Sequence, residues 1–156
     1  MNIKQIYDEG LAHASYAILI GKEVVVIDPA RNPTAYLQYV DEQDAKIVAI
    51  IETHPHADFV SSHLELHQRT GATIYTSALT GADYPHEGFD DGDELKIGEY
   101  IFSSINTPGH SPDSISIVLK DGTGDEVAVF TVTRCLWVMS GALICGNLRG
   151  IFRVSE

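Results

Sequence analysis

The sequence has few cysteines, few basic residues and no long apolar run. Its two cysteines, Cys135 and Cys145, are too few for a disulfide framework, which favours a reducing cytoplasm. Only 10 Lys and Arg stand against 22 Asp and Glu, a net charge of −12, and this argues against nucleic acid or anionic membrane as partners. No apolar run approaches the roughly 18 residues that a membrane span needs, and the N-terminus lacks the layout of a secretory signal. We therefore expect a cytoplasmic protein that binds neither nucleic acid nor membrane.

The patterns that are present predict one α/β domain over residues 1–131, with mixed sheets covered by helices. Two β-branched runs flank Gly21-Lys22, which predicts a hairpin. Residues 33–43 and 59–71 have helical spacing of apolar residues, and the second of these helices is expected to end at Gly71. Residues 46–54, "KIVAIIETH", form a continuous apolar run that is typical of a strand buried on both faces.

Several potential metal ligands lie close together at the end of that apolar strand. The sequence continues as "THPHADF", which places His54, His56 and Asp58 in alternation. Side chains at i and i+2 point the same way from extended backbone, so the two imidazoles can meet at one ion. Imidazole suits Zn, Fe, Cu or Ni, and a carboxylate extends the ligand set. The pattern predicts a metal site at the carboxyl end of this strand.

A third histidine ligand is expected from a later turn. His110, in "NTPGHSPDS", also follows a predicted strand. His63 and His67 have the i, i+4 spacing of a helical chelating pair, but a solvated or half-buried helix surface is the favoured interpretation. For His13 the alternatives are a place in the crevice lining and a satisfied polar contact, of which the second is favoured; His86 is expected to lie in a solvated acidic loop.

The character of the chain changes near its end. Residues 127–155 contain no acidic residue, and both cysteines and the single tryptophan lie there. A buried strand or helix is one interpretation of residues 132–156.

The motifs resemble those of the metallo-β-lactamase superfamily. "THPHAD" resembles the Thr-His-x-His-x-Asp-His motif of that fold, "TPGHSPDS" its second histidine segment, and "VVVIDPARN" its early strand and turn. The string "IETHPHADFVSSHLEL" is most similar to the persulfide dioxygenase branch, which is related to glyoxalase II. The resemblance covers residues 1–131 and implies part of an αββα sandwich, incomplete towards the C-terminus.

The resemblance also implies ligands and a substrate. Two-metal members have histidine where this chain has Phe59, so one ion is expected, with Fe(II) favoured and zinc as the other candidate. His54 and His110 would be the histidine ligands, with His56 and Asp58 as close supporting groups. We therefore name His54, His56, His110 and Asp58 as candidate metal ligands and Asp58 as the candidate catalytic residue. The implied substrate is a small thiol persulfide such as glutathione persulfide, and a homo-oligomer is possible.

The chain departs from the family after residue 131. Members continue with Gly-Asp-Thr-Leu-Phe, whose aspartate binds the metal, whereas this chain has the neutral Thr133 at that place. Codons for residues 132–145 can be chosen so that one added G restores Gly-Asp-Thr-Leu-Phe and the residues typical of the family. Residues 132–156 are therefore interpreted as an out-of-frame tail, which predicts weak metal binding, negligible turnover and a tendency to aggregate.

Two alternatives stay open at this point. A zinc enzyme of the same fold would hydrolyse a thioester with a metal-bound water whose pKa is lowered to about 7. A non-catalytic fragment would bind no metal tightly, and Thr133 favours that interpretation for the chain as written.

Overall fold

The computed structural model describes residues 1–57 and 59–131, and the strands formed by residues 135–138 and 142–145. The first sheet contains, side by side, β1 (Asn2–Asp8), β2 (His13–Ile20), β3 (Glu23–Ile27), β4 (Lys46–Ile51), β5 (Thr73–Thr76) and β6 (Glu87–Gly88). The second contains β7 (Glu94–Ile97), β8 (Tyr100–Asn106), β9 (Ile115–Lys120), β10 (Glu126–Phe130), β11 (Cys135–Val138) and β12 (Ala142–Cys145), also in chain order. The α-helices are α1 (Thr34–Glu42) and α2 (His63–Thr70).

The first sheet changes from antiparallel to parallel along its width. β1, β2 and β3 are joined by hairpins, and Gly21 adopts φ 60° in the predicted turn between β2 and β3. From β3 to β5 the pairing is parallel, because α1 connects β3 to β4 and α2 connects β4 to β5. β6 also pairs parallel to β5, after a connection without an α-helix. The carboxyl ends of β3 and β4 therefore lie next to each other at one edge of the sheet.

Two apolar cores hold the layers together. The larger lies between the sheets and includes Ile18, Ile51, Phe102 and Phe130, all almost fully buried. The other lies between the first sheet and the helices, where residues such as Tyr36 and Leu66 pack on the opposite faces of β2, β3 and β4. β4 is buried on both faces, as its continuous apolar run predicts. In the described part of the chain the order of layers is helix, sheet, sheet.

Helix α2 begins four residues later than its periodicity predicts, at His63 rather than Phe59. Ser61 and Ser62 contact other segments instead: the Ser61 hydroxyl lies 3.0 Å from the Pro29 carbonyl, and the Ser62 amide donates to the Ala30 carbonyl. These contacts hold the segment before α2 in a non-helical path. The helix ends as predicted, with Gly71 at φ 73° and its amide bonded to His67.

Three features were not specified by the sequence pattern. β1 has only two β-branched residues, Ile3 and Ile6, and it gains its regularity by pairing with β2 along its whole length. β6 is two residues long and lies in the acidic loop that we expected to be solvated. For the C-terminal segment, the sequence left a buried strand or helix beside an out-of-frame tail; β11 and β12 are strands, and the out-of-frame origin stays a prediction.

The helices of the described part of the chain were also compared with the requirements of a membrane span, and none has the necessary length and apolar character.

Candidate metal centre

The predicted motif follows β4, next to the end of its parallel neighbour β3. The Asp28 amide donates to the Ile51 carbonyl at 2.9 Å and so ties the two strand ends together. Asp28 adopts φ 48°, a conformation that aspartate and asparagine enter more easily than most residues. Its side chain therefore turns back from the end of β3 towards Thr53 and the histidines.

Asp28 and Thr53 form a buried pair that fixes the backbone of the motif. The Asp28 Oδ1 accepts the Thr53 amide at 2.7 Å, and Oδ2 accepts the Thr53 hydroxyl, also at 2.7 Å. Burial by itself raises the pKa of Asp28. The contact and charge of His56, together with the hydrogen bonds from Thr53, outweigh this and lower the pKa below its ordinary value of 3.8. Asp28 is therefore an anion at neutral pH, with its carboxylate placed to interact with the donors of Thr53 and His56.

Proton counting assigns the tautomer of His54. The Thr53 Oγ1 lies 3.0 Å from His54 Nδ1, and its single proton is already donated to Asp28. Nδ1 must therefore carry the proton and donate it to Thr53, which leaves the lone pair on Nε2. Burial, followed by the charge of His56, lowers the pKa of His54 from 6.5 to about 4. His54 is neutral above that pH and can bind a cation through Nε2.

His56 lies between carboxylates and aromatic rings. Its side chain is 5% exposed, and its Nε2 is 3.5 Å from Asp28 Oδ1 and 3.6 Å from Glu52 Oε2. The ring centroid of Phe59 is 4.4 Å from that of His56 and the centroid of His54 is 4.3 Å from it, with both pairs tilted. The ring of His13 meets His56 edge-on at 5.1 Å, so His13 does line the crevice.

The loop between β8 and β9 brings His110 to the same place. The ring centroids of His54 and His110 are 5.0 Å apart and perpendicular. The Ile115 amide donates to the Thr53 carbonyl at 2.9 Å, which fastens this loop to the motif. His110 itself is exposed, so it forms the open side of the crevice.

Three side chains that could hold a metal ion meet at the strand ends, and His110 lies outside that group but contacts the ring of His54. An Asp28 oxygen and one ring nitrogen from each of His54 and His56 lie within 4.8 Å of one another. Both Asp28 oxygens already accept hydrogen bonds from Thr53, so the main role of Asp28 is to orient the motif. The other predicted ligand, Asp58, lies outside the described residues, as does Thr133.

The remaining histidines make local contacts. His67 Nδ1 is 2.7 Å from the Ala72 carbonyl, and His86 Nδ1 is 2.8 Å from the Tyr84 carbonyl. His63 Nδ1 lies 3.4 Å from Glu52 Oε1. His63 and His67 are half-buried, as favoured above, and they have separate partners rather than a shared ion site.

Comparison with known proteins assigns this arrangement to a family. The sequence profile of the metallo-beta-lactamase superfamily matches residues 8–127. The chain belongs to that superfamily. The predicted fold class is thereby confirmed, and members of this superfamily use metal ions, which agrees with a cluster of potential ligands at the strand ends.

Relatives within the superfamily include a dioxygenase and a hydrolase. The chain is 30% identical to the mitochondrial persulfide dioxygenase ETHE1 of Bos taurus, over 74% of this chain and 49% of that protein. It is 27% identical to the cytoplasmic hydroxyacylglutathione hydrolase of Saccharomyces cerevisiae, over 83% of this chain and 50% of that protein. The crystal structure of ETHE1 from Myxococcus xanthus aligns with a TM-score of 0.71 at 34% identity, covering 76% of this chain and 54% of that one. The chain thus spans about half the length of these relatives.

Sequence reasoning missed the acidic residues behind the histidines. Asp28 lies in "VVVIDP", where a carboxylate directly follows a buried strand, the same signal that marks the histidine motif. Glu52 precedes that motif and is only 3% exposed. Asp113, in the His110 loop, raises the pKa of His54 and partly opposes its burial. The pairing of β3 with β4 brings the first two together, and this pairing is not visible in a linear pattern.

Proposed function

We propose that this chain holds one divalent cation between His54, His56 and His110, with Fe(II) favoured and zinc as the second candidate. Asp58 is proposed as a supporting ligand and as the catalytic group. The proposed substrate is a small thiol persulfide such as glutathione persulfide. The similarity to persulfide dioxygenases of two organisms supports this choice.

The donor set fits a borderline divalent cation. His54 is neutral above about pH 4 and has its lone pair on Nε2. Its ring contacts both His56 and His110, so three imidazoles are available at one crevice. Imidazole ligands suit iron and zinc, whereas Mg²⁺ and Ca²⁺ require a set of oxygens.

Phe59 is the observation that favours a single ion. Its ring packs 4.4 Å from His56 and 4.6 Å from His13, between centroids. A phenyl ring offers no lone pair, so it occupies, without binding metal, the place that the resemblance assigns to a histidine of the second site. A single cation with open positions is what non-haem iron chemistry with oxygen and a thiol requires.

The protein's own residues prepare the crevice. Thr53 holds His54 in one tautomer, and the bond from Ile115 to Thr53 fixes the His110 loop. Phe59 and the buried edge of His13 exclude water from one side of His56. The resemblance places an anionic ligand after β10 where this chain has Thr133, so we expect negligible turnover in the chain as written.

Metal content and activity test the proposal together. At saturating Fe(II) or Zn(II) the chain is expected to bind one ion, weakly, and Phe59→His should raise the zinc content above one per chain. Thr133→Asp should increase persulfide-dependent oxygen uptake by at least roughly 10-fold, because the resemblance assigns a ligand aspartate to this position. Thr131→Asp serves as the matched control.

Two results would contradict the proposal. The first is an Fe(II)-loaded Thr133→Asp variant that consumes no more oxygen with persulfide than the Thr131→Asp control. The second is thioester hydrolysis by the zinc-loaded chain without any oxygen uptake, which would favour the hydrolase alternative. The similarity to the yeast hydroxyacylglutathione hydrolase is the reason for assaying thioester hydrolysis as well.

A further inference from the structure

A buried glutamate lies directly behind His56. Glu52 has a side chain that is 4% exposed, and its Oε2 is 3.6 Å from His56 Nε2. Within the described residues, His56 Nε2 is buried and makes no hydrogen bond of good geometry. A buried N–H without an acceptor costs about 1–3 kcal/mol, so the two carboxylates beside it are its natural acceptors.

The two neighbouring carboxylates differ in how many hydrogen bonds their oxygens already accept. Both oxygens of Asp28 accept hydrogen bonds from Thr53, each at 2.7 Å. The Glu52 Oε1 accepts the Ser61 hydroxyl at 2.7 Å, while Oε2 accepts no hydrogen bond within the described part of the chain. Asp28 Oδ1, 3.5 Å from His56 Nε2, keeps a second lone pair but already accepts the Thr53 amide. No other donor in the described part of the chain competes for Glu52 Oε2 at 3.6 Å, which makes Oε2 the less committed acceptor for His56.

We propose that Glu52 is a positioning residue whose Oε2 accepts the Nε2–H of His56 and so leaves the Nδ1 lone pair for the cation. The two nitrogens of an imidazole point in diverging directions, so fixing one towards the buried acids turns the other away from them. This role deepens the proposed function and rests on it, because it concerns how one of the three ligand rings is held.

The segment before α2 holds Glu52 in place. Ser61 donates to Glu52 Oε1, and His63 Nδ1 lies 3.4 Å from the same oxygen. The His63 ring packs against Tyr84 at 4.7 Å, which fixes its own position. Glu52 thus connects the start of α2 to the ring of His56.

The arrangement works whether or not Glu52 is ionised. Burial and then the charge of Asp28 raise the pKa of Glu52 well above 4.5. The Ser61 hydroxyl also lies 3.0 Å from the Pro29 carbonyl, so a proton on Glu52 Oε1 has an acceptor in Ser61, which then donates onward. Oε2 stays an acceptor in both states. Glutamine should therefore replace Glu52 well, because its amide can donate to Ser61 and accept from His56.

Imidazole nitrogen-15 NMR of the metal-free protein tests this role, followed by zinc affinity measured by competition with a chelator. The wild type and Glu52→Gln are expected to show His56 protonated at Nε2 only. Glu52→Met should show mixed tautomers and zinc affinity lower by roughly 10–100-fold, as for the loss of other groups that orient metal ligands. Glu52→Gln should stay within about 3-fold of the wild type, and Glu65→Met, which removes an exposed glutamate on α2, should change neither measurement.

The outcomes separate this role from the proposed function. If Glu52→Met keeps the Nε2 tautomer and the wild-type affinity, Asp28 alone orients the ring and the proposal fails. It also fails if Glu52→Gln loses as much as Glu52→Met. Should Glu52→Met not fold, Glu52→Asp, whose acceptor is one methylene further from His56, must lose the single tautomer. A wild type that binds no zinc refutes the metal site, while the tautomer of His56 still decides the role of Glu52.

Discussion

Replacing His54 and His110 together with alanine is expected to lower the affinity of the chain for Zn(II) or Co(II) by more than roughly 100-fold. Perturbing a group that merely orients a metal ligand costs roughly 10–100-fold, and these substitutions remove two proposed ligands outright. A competition titration with a chromophoric chelator measures the dissociation constant. Both rings lie on the crevice side of the motif, 5.0 Å apart, so their removal leaves His56 as the one proposed ligand among the described residues.

The matched control removes two histidines that lie outside the crevice. His67 and His86 each place Nδ1 against a nearby backbone carbonyl, at 2.7 and 2.8 Å. The His67→Ala/His86→Ala variant is expected to bind zinc within about 3-fold of the wild type, since neither ring is a proposed ligand. Equal losses in the two double variants would show non-specific binding to surface histidines rather than one built site.

Replacing Asp28 with alanine is expected to lower the free energy of unfolding by about 2–4 kcal/mol, because two donors of Thr53 lose their buried acceptor. Urea denaturation at pH 7 measures the change. The pKa of Asp28 is depressed, so its contribution is complete above its ordinary value of 3.8 and is lost as the pH falls through the depressed value. The difference between wild type and variant should therefore shrink under strongly acidic conditions.

Asp44 provides a matched control for the backbone. It has the same φ of 48°, but its side chain is 96% exposed and pairs with Lys22 at the surface. Asp44→Ala therefore carries the cost of alanine at positive φ without the loss of buried hydrogen bonds, and it should cost no more than about 1 kcal/mol. Asp28→Asn keeps one acceptor and should fall between the two. If Asp28→Ala costs no more than Asp44→Ala, the account of Asp28 as the anchor of the motif is wrong.

The parts of the fold that repeat a local pattern could be predicted from the sequence. The apolar run of β4, the turn at Gly21 and the helix end at Gly71 all follow from local preferences, and the structure confirms them. The start of α2 could not be predicted, because it depends on polar contacts of Ser61 and Ser62 with the carbonyls of Pro29 and Ala30. These carbonyls lie about thirty residues away in the chain. Periodicity carries no information about such partners.

The candidate site also contains residues that the sequence predicts and residues that it does not. His54, His56 and His110 are recognisable from their residue type and from the strands they follow, and the structure brings their rings into contact. The acids behind them are not recognisable, because Asp28 and Glu52 come from different strands and meet only when β3 pairs with β4. Asp58 and Thr133 lie outside the described residues, so their roles stay predictions.

The central claim is that His54, His56 and His110 hold one cation, and the position of a bound metal tests it most directly. A crystal of the chain grown with Co(II), measured at the cobalt absorption edge, locates the ion by anomalous scattering. We predict one peak at roughly 2.1 Å from a nitrogen of each of the three rings, the distance typical of imidazole ligands. A peak on the far side of His56, between Asp28 and Glu52, or no peak in the crevice, would contradict the account.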